Sequence, residues 1–397
     1  MGVSGDVGAR RVRESEYVGL RVAVIGGGIG GLTTAVALRA IGAHVDVYEQ
    51  ARELAEVGAG VGLHKNSQRV LRRLGLGEAV DRIAARVQGF RLSGPDGSDV
   101  FAETFGPDAP ILSVHRADLV AVLAGALPAG VVHTGYRCRE FVERDDCAAV
   151  VFDAGQVVEA DVVVAADGIH STLQHYVVEP TQPVFSGTVA YRGLIPETRL
   201  PDWPQSLMVW GGDGRHLLSF PVRRGQLINF VGFVPADERM RESWSAPGDP
   251  GELAAEFADW DPQARRLLGS VDTTFMWGLY DRDPLARWTA GRLALLGDAA
   301  HPMLPHMGQG ANQAIEDAMA LATLIRGTCG HDVTSALVDY EELRRDRTAR
   351  IQQLSRMNGV AFDAGVTTRF TRPWVQGYDV EAHARAACDL RMRAQFD

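Results

Sequence analysis

Cysteine is scarce in this chain. Four residues in 397, Cys138, Cys147, Cys329 and Cys388, are scattered without CxxC spacing, which argues against a disulfide framework or a zinc site and predicts a reducing, cytoplasmic setting. Long apolar runs are missing as well: none reaches the roughly 18 residues that a membrane span requires. The first nineteen residues carry Arg10, Arg11, Arg13, Glu14 and Glu16 and no apolar signal core, so they read as a loose tail. Positive charge is outweighed, with 40 Lys plus Arg against 50 Asp plus Glu for a net charge of −10 and no basic stripe. That balance argues against nucleic acid or an anionic membrane as the main partner. Internal repeats and low-complexity blocks are also lacking. What remains is 46% hydrophobic and 23% charged, a composition with enough apolar material for one large core or two closely joined domains.

The first informative stretch is Leu20 to Ile25, a short apolar strand running into Gly26-Gly27-Gly28-Ile29-Gly30-Gly31 and then into an apolar helix. Glycines in that position permit a tight turn and let the backbone approach a pyrophosphate at the helix amino end; Gly26, Gly28 and Gly31 are the candidate contacts. A second strand, His44 to Tyr48, ends in Glu49, twenty-three residues beyond Gly26. An acid about that far along is placed to hydrogen-bond an adenosine ribose. The unit predicts a dinucleotide site without separating NAD from FAD.

Two further strands end the same way. Asp161 to Ala166 is apolar enough for a parallel sheet buried on both faces and ends in Asp167-Gly168. Leu293, Leu295 and Leu296 lead into Gly297-Asp298-Ala-Ala-His301-Pro302-Met-Leu-Pro305-His306-Met-Gly308-Gln-Gly310-Ala311-Asn312, after which Ala314, Ile315, Ala318 and Met319 fall at helical spacing. The chain is organised around this strand, shaped loop and helix: an acid stands at the strand's carboxyl end and free amides at the helix's amino end, a grip for hydroxyls and for negative charge. Three strand-end acids, Glu49, Asp167 and Asp298, are more than one nicotinamide dinucleotide asks for.

Between residues 184 and 274 the helical pattern gives way to aromatic-rich strands separated by Gly-Gly-Asp-Gly and Arg-Arg-Gly turns. A hairpin around Pro95-Asp96-Gly97, a glycine loop from Glu56 to Gly62, helices at 66–74, 119–127 and 251–268, a long helix from Val333 to Met357, a turn around Trp374 and a final helix complete the expectation.

Taken together, Gly26 to Gly31 with Glu49, Arg116, Asp167-Gly168 and Gly297-Asp298-Ala-Ala-His301-Pro302 resemble the single-component FAD-dependent aromatic hydroxylases of the p-hydroxybenzoate hydroxylase fold, over Arg21 to Asp379. Ala190-Tyr191-Arg192-Gly193, Leu279 to Pro284, Pro305-His306-Met and Trp374 to Asp379 are most similar to the branch of salicylate, 6-hydroxynicotinate and 3-hydroxybenzoate hydroxylases. The resemblance implies an α/β fold: a Rossmann-like FAD-binding domain (20–86, 106–182 and 275–330) with an inserted mixed β-sheet substrate domain (87–105 and 183–274), a tail at 1–19 and a C-terminal helical segment at 331–397.

It also implies bound FAD, a transient NADH or NADPH, O2, and hydroxylation of a small phenolic or hydroxyheteroaromatic acid through a flavin C4a-hydroperoxide, in a monomer or homodimer. Glu49 would take the adenosine ribose, Arg116 and Asp298 the pyrophosphate and ribityl region, and Asp167-Gly168 both FAD and the nicotinamide donor. Pro305, Gly308, Gly310, Ala311 and Asn312 would face the flavin, where unpaired helix amides suit an anionic ring.

An electrophilic oxygen donor needs an electron-rich ring, so a base near the phenol is expected, and His306 and His216 are the candidates. Tyr191, Arg192 and Phe220 are the candidate substrate contacts, with Arg223 a further cation for a carboxylate. Gly62 stands where relatives carry a histidine, Lys65-Asn66 where they read Pro-Asn, and Phe220 where a tyrosine is expected, which makes the pocket less polar. A bulkier natural product is the alternative substrate. A non-catalytic flavin sensor is the competing class.

Overall fold

The computed structural model describes residues 19–54, 59–107, 111–179, 181–236, 245–327, 333–367 and 372–394. The expected N-terminal tail, Glu56 to Gly58 and the turn with Cys329 lie outside the described residues. No described helix is long and apolar enough to cross a membrane, and no described group of His, Cys, Asp and Glu could hold a metal ion.

Apolar strands too short to be helices build the central sheet. Its order is Thr289–Ala290, Leu293–Leu295, Val162–Ala165, Arg21–Ile25, His44–Glu49 and Val132–Thr134, parallel throughout except for the first pair. Val22, Val24, Val163, Leu293 and Leu295 are all buried, because helices and a three-stranded sheet, Cys138–Glu143, Ala148–Phe152 and Val157–Ala160, pack with them into one core. Each such side chain contributes about 1.5–3 kcal/mol by leaving water. The Ile29–Ala40 helix packs on the Gly310–Gly327 helix, and Gly30 lets them close: a Cβ there would meet Leu296 Cδ2 at 2.9 Å and Ala314 Cβ at 3.2 Å. Since Arg21–Ile25, His44–Glu49, Val162–Ala165 and Leu293–Leu295 run parallel, their carboxyl ends share one edge, and Glu49, Asp167 and Asp298 gather there.

A second sheet of eight strands stands against that edge. Its order is Ser245–Gly248, Thr274–Asp281, Val184–Pro196, Leu227–Pro235, Arg215–Val222, Leu207–Gly212, Gly89–Ser93 and Asp99–Thr104. The sheet is mixed because Leu207–Gly212 and Gly89–Ser93 pair parallel while the other pairs are antiparallel. One face packs on the Pro250–Glu256 and Pro262–Leu268 helices through Leu253, Phe257 and Leu267. The other face looks toward the strand ends of the first sheet.

Three local expectations are corrected. The end of the glycine loop is a strand, Gly60–Leu63, paired antiparallel with Ile111–His115; Gly60 is required because a Cβ there would lie 2.5 Å from the Phe220 ring. The single helix expected over 251–268 is two helices, because Asp261-Pro262 starts a new one with proline in its first turn. The turn around Trp374 is a short helix, Arg372–Gln376. The long helix continues to Asp363, roughly 45 Å at 1.5 Å per residue. That reach takes it from the first sheet's face to the strands Leu207–Gly212 and Arg215–Val222.

Candidate functional site

The nucleotide side of the site is made mostly of backbone. Gly26 has φ +112°, and a Cβ on it would lie 2.2 Å from Ala166 O; one on Gly31 would lie 2.0 Å from Gly26 O. Gly28 caps the Ile29–Ala40 helix with no side-chain hydrogen bond, and no acid stands in its first turn, which leaves amino-end amides open to a phosphate. Glu49 curls under this turn, accepting from Gly27 N–H at 2.7 Å and Ala51 N–H at 2.8 Å. Asp167 accepts from Thr172 N–H at 2.8 Å, and its Oδ1 is buried without a protein partner. Burial pushes the Asp167 carboxyl up, against the hydrogen bonds from Ser171 and Thr172. Burial likewise pushes Arg116 down, against the attraction of Asp298. Close-approach glycines, an uncapped helix and an orphaned carboxylate oxygen at one strand edge fit a flavin dinucleotide.

From this edge a cavity of about 680 Å3 extends to the second sheet, lined by Arg116 and Asp298 at one end and by Phe233 and Phe362 at the other. Cross-strand register writes its wall. Ala190, Phe233 and His216 are directly opposite one another on three neighbouring strands; Arg192, Val231 and Leu218 form the next row, and Leu194, Asn229 and Phe220 the one after. Side chains alternate between faces, so Arg192 and Phe220 line the cavity. Tyr191, between Ala190 and Arg192, points the other way into the helix-covered core and does not line the cavity. Arg223 is also elsewhere: it forms a two-armed pair with Asp118 at 2.8 Å.

Arg192 is the exceptional wall residue. Its Nε is buried without a protein partner and its guanidinium stands 5.9 Å from the Trp277 ring centre. Burial first, and then the neighbouring Arg116 charge, push it down to about 10. At neutral pH it remains a cation facing a largely apolar chamber.

The loop between the strand Leu293–Leu295 and the Gly310–Gly327 helix closes the cavity, with Pro305, His306, Gly308, Gly310 and Ala311 among its lining. Gly308 takes the left-handed conformation at φ +60° and ends a single helical turn, Pro305–Met307. Asn312 ties the loop to the glycine strand, donating to Gly62 O at 2.8 Å and Gly308 O at 2.6 Å and accepting from His64 N–H at 2.8 Å. Its side chain is therefore occupied by protein, and it is the helix-start amides that face the chamber.

The long helix holds the loop from behind. Gln352 donates to Pro302 O at 2.7 Å, Ser355 to Leu304 O at 2.6 Å, and Asn358 to His306 O. Side chains three apart on a helix thus grip carbonyls two apart on the loop. The sequence reading missed these clamps; the small polar residues at three-residue intervals in an Arg- and Glu-rich helix were the available signal. His301 points away from the cavity and binds Asp317 at 2.6 Å. Arg344 joins Asp317 at 2.7 Å and Glu316 at 2.6 Å, all fully buried. Burial favours the neutral acid, yet His301 and Arg344 hold Asp317 below the usual carboxylate range.

The two candidate histidines come together without being equivalent. His306 lines the cavity, whereas His216 is fully buried behind it, their ring centres 5.1 Å apart. Both rings stack or tilt against Phe233. Burial lowers both, His306 strongly, with the charges of His216 and Arg192 acting in the same direction. An imidazole kept neutral is ready to accept a proton.

Comparison with known proteins agrees with this arrangement. The family model described as an FAD binding domain matches residues 19–355. The chain is 42% identical over 353 residues to a 3-amino-4-hydroxybenzoate 2-monooxygenase of Streptomyces platensis, covering 86% of this chain and 88% of that one. It is 35% identical to the 6-hydroxynicotinate 3-monooxygenase of Bordetella bronchiseptica, covering 91% and 96%. Among solved structures, a salicylate hydroxylase substrate complex superposes with a TM-score of 0.81 at 30% identity, over 93% of this chain and 98% of that one. A glycine turn, three strand-end acids and an aromatic-walled chamber, matched along most of their length by named hydroxylases, make this chain a member of the FAD-binding-domain family of aromatic monooxygenases.

Proposed function

We propose that the protein hydroxylates a small phenolic or hydroxyheteroaromatic acid, of the size of 3-amino-4-hydroxybenzoate, salicylate or 6-hydroxynicotinate, using NAD(P)H and O2. The observation that carries this reading is Arg192, a cation in the cavity wall whose buried Nε has no protein partner. Leaving a charge in that state is costly, and a carboxylate on the substrate removes the cost through a charge-assisted hydrogen bond. Size points the same way. Sites for one small molecule typically span ~300–1,000 Å3, and here about 680 Å3 is shared between the flavin ring and the substrate.

FAD, when bound, supplies the electrons taken from NAD(P)H and the activation of O2. The chain's residues do the rest. Glu49 takes the adenosine ribose; Arg116, Asp167 and Asp298 take the pyrophosphate and ribityl region. The amides at Gly310 to Asn312 would stabilise negative charge on the bound flavin. Arg192 fixes the acid so that its ring lies between Phe220 and the Pro305 loop, and His306 accepts the phenolic proton, making the ring richer in electrons. Leu218, Val231 and Phe233 keep water from the reacting face.

The test is NADH and NADPH consumption matched to hydroxylated product over 3-amino-4-hydroxybenzoate, salicylate, 3-hydroxybenzoate, 6-hydroxynicotinate and larger neutral phenols. At least one small acid should give coupled turnover. Coupling only with large neutral phenols would overturn the small-acid reading. His306→Ala should slow hydroxylation by roughly 10²-fold or more while flavin reduction changes little; unchanged hydroxylation would remove His306 as the base.

A further inference from the structure

Behind the cavity wall, groups that can carry a proton stand in line between the chamber and solvent. His306 faces the chamber, His216 lies behind it at 5.1 Å between ring centres, and His216 Nδ1 is 2.6 Å from Asp363 Oδ1. His216 is 0% exposed, while the Asp363 side chain retains 31% of its surface. Asp363 is the last residue of the long helix, and its backbone carbonyl accepts from Gly214 N–H at 3.0 Å, which fixes the carboxylate beside the start of the His216 strand.

An imidazole that merely filled the space between Phe233 and Phe362 would be better replaced by an apolar ring, since burying polar nitrogens costs free energy unless they are bonded. Here one nitrogen is bonded to a carboxylate and the others are left open. With Nδ1–H donated to Asp363, His216 presents the lone pair of Nε2. That atom is buried without a protein partner, and so is His306 Nδ1. No direct hydrogen bond joins the rings, so passage between them needs a turn of the His306 ring or one bridging water. Gly359 leaves the ring its room, because a Cβ there would lie 2.7 Å from His306 Cδ2. The charges facing the two rings are graded: Arg192 stands on the cavity side of His306 and Asp363 beyond His216. A proton is repelled at the inlet and attracted at the outlet.

We propose that His216 and Asp363 form a proton exit from the active site, so that the two histidines act in series and Asp363 is a positioning and relay residue. The inference rests on the hydroxylase reading above. The phenolic O–H breaks and its proton goes to His306; His306 passes a proton from its other nitrogen to His216 Nε2; His216 passes its Nδ1 proton to Asp363, which releases it to water. Each imidazole gains one proton and loses one. The sole net change is phenol to phenolate plus a proton in solvent, and no electron moves.

The experiment uses the oxidised, FAD-loaded protein without reductant. It is mixed by stopped flow with 3-amino-4-hydroxybenzoate or 3-hydroxybenzoate in weak buffer with a pH dye, following proton release, phenolate absorbance and, from the flavin band, ligand affinity. Asp363→Asn keeps an oxygen that can accept the His216 Nδ1–H, so the fold and the substrate Kd should be preserved to within about twofold. Proton release should slow by about tenfold or more while the phenolate midpoint, which the end states fix, stays at or slightly below the parent's, and Asp363→Glu should restore the rate. His216→Asn, which removes the middle carrier and leaves Asp363 in place, should show the same slowing. Parent-like rates of proton release in either variant would overturn the relay alone. A parent protein that binds neither acid would overturn the small-acid reading and the relay with it.

Discussion

The nucleotide edge and the substrate wall are built from opposite materials. At the edge the working groups are backbone amides at Gly26 to Gly31 and Gly310 to Asn312, with one acid at the end of each of three parallel strands. At the wall they are side chains, Arg192, Phe220 and His306, held by cross-strand register and by a helix from a distant part of the chain. Backbone sites depend on the absence of a side chain at a few positions. Side-chain sites depend on which face of a strand a residue occupies. A single substitution should therefore act differently in the two regions: at the edge it removes the cofactor, and at the wall it changes what the cofactor acts on.

The largest effect is expected from Gly31→Val, where the first added carbon would lie 2.0 Å from Gly26 O. Overpacking of this severity should cost about 3 kcal/mol or more, and the purified variant should be colourless or insoluble. A yellow protein with parent-like flavin content would break the comparison at its first point.

Next is Glu49→Arg, which replaces the acceptor of Gly27 N–H with a cation. Loss of hydrogen bonds to a charged group, about 1.5–3 kcal/mol, predicts FAD binding weakened by roughly 10–100-fold in an equilibrium titration, with the aromatic preference of the remaining holoenzyme unchanged. A comparable loss through charge is predicted on the other side for Arg192→Met. Its KM for the aromatic acid should rise by roughly 10–100-fold while FAD content stays at the parent level. Because the variant also removes a buried cation lacking a partner at Nε, its ligand-free form should melt at the same temperature or higher. A fall in flavin content with unchanged KM would move Arg192 from the wall to the edge.

Smaller effects sharpen the boundary. Ser355→Ala deletes the bond to Leu304 O, 2.6 Å long, and should cost about 1 kcal/mol in thermal or denaturant unfolding together with a modest fall in coupling between NAD(P)H oxidation and product. Tyr191→Phe should leave KM for the acid unchanged, since Tyr191 faces the helix-covered core. A shift in KM as large as that of Arg192→Met would mean that strand alternation does not govern the wall.

Local sequence carried the edge because its chemistry is local. A short apolar strand, a run of glycines and an acid twenty-three residues on each act through neighbours close in the chain, so Gly26, Gly28, Gly31, Glu49, Asp167 and Asp298 are assigned to strand ends and the turns after them by the order of residues alone. The fold class was legible for the same reason, since apolar strands alternating with helices admit few arrangements. Tyr191 and Arg192 stand next to each other and carry equally plausible chemistry. What separates them is that register with Leu227–Pro235 turns one to the core and the other to the chamber, a fact set by pairing across some forty residues of chain.

The histidines show the same limit. The resemblance to aromatic hydroxylases named His306 and His216 as candidates, and no local rule could stack one behind the other or bring Asp363 to 2.6 Å from the second. Sequence by itself determined an α/β dinucleotide-binding protein, which its resemblance to aromatic hydroxylases made a flavoprotein, together with the strand edge that carries its acids and the residue types of its loop. Tertiary structure alone decided which side chains line the chamber, that Gln352, Ser355 and Asn358 hold the loop, and that a buried histidine stands between His306 and the half-buried carboxylate of Asp363. The physical reason is range: turns, caps and strand ends are fixed by contacts a few residues apart, whereas a wall and a relay exist only after sheets and a roughly 45 Å helix have packed around one space.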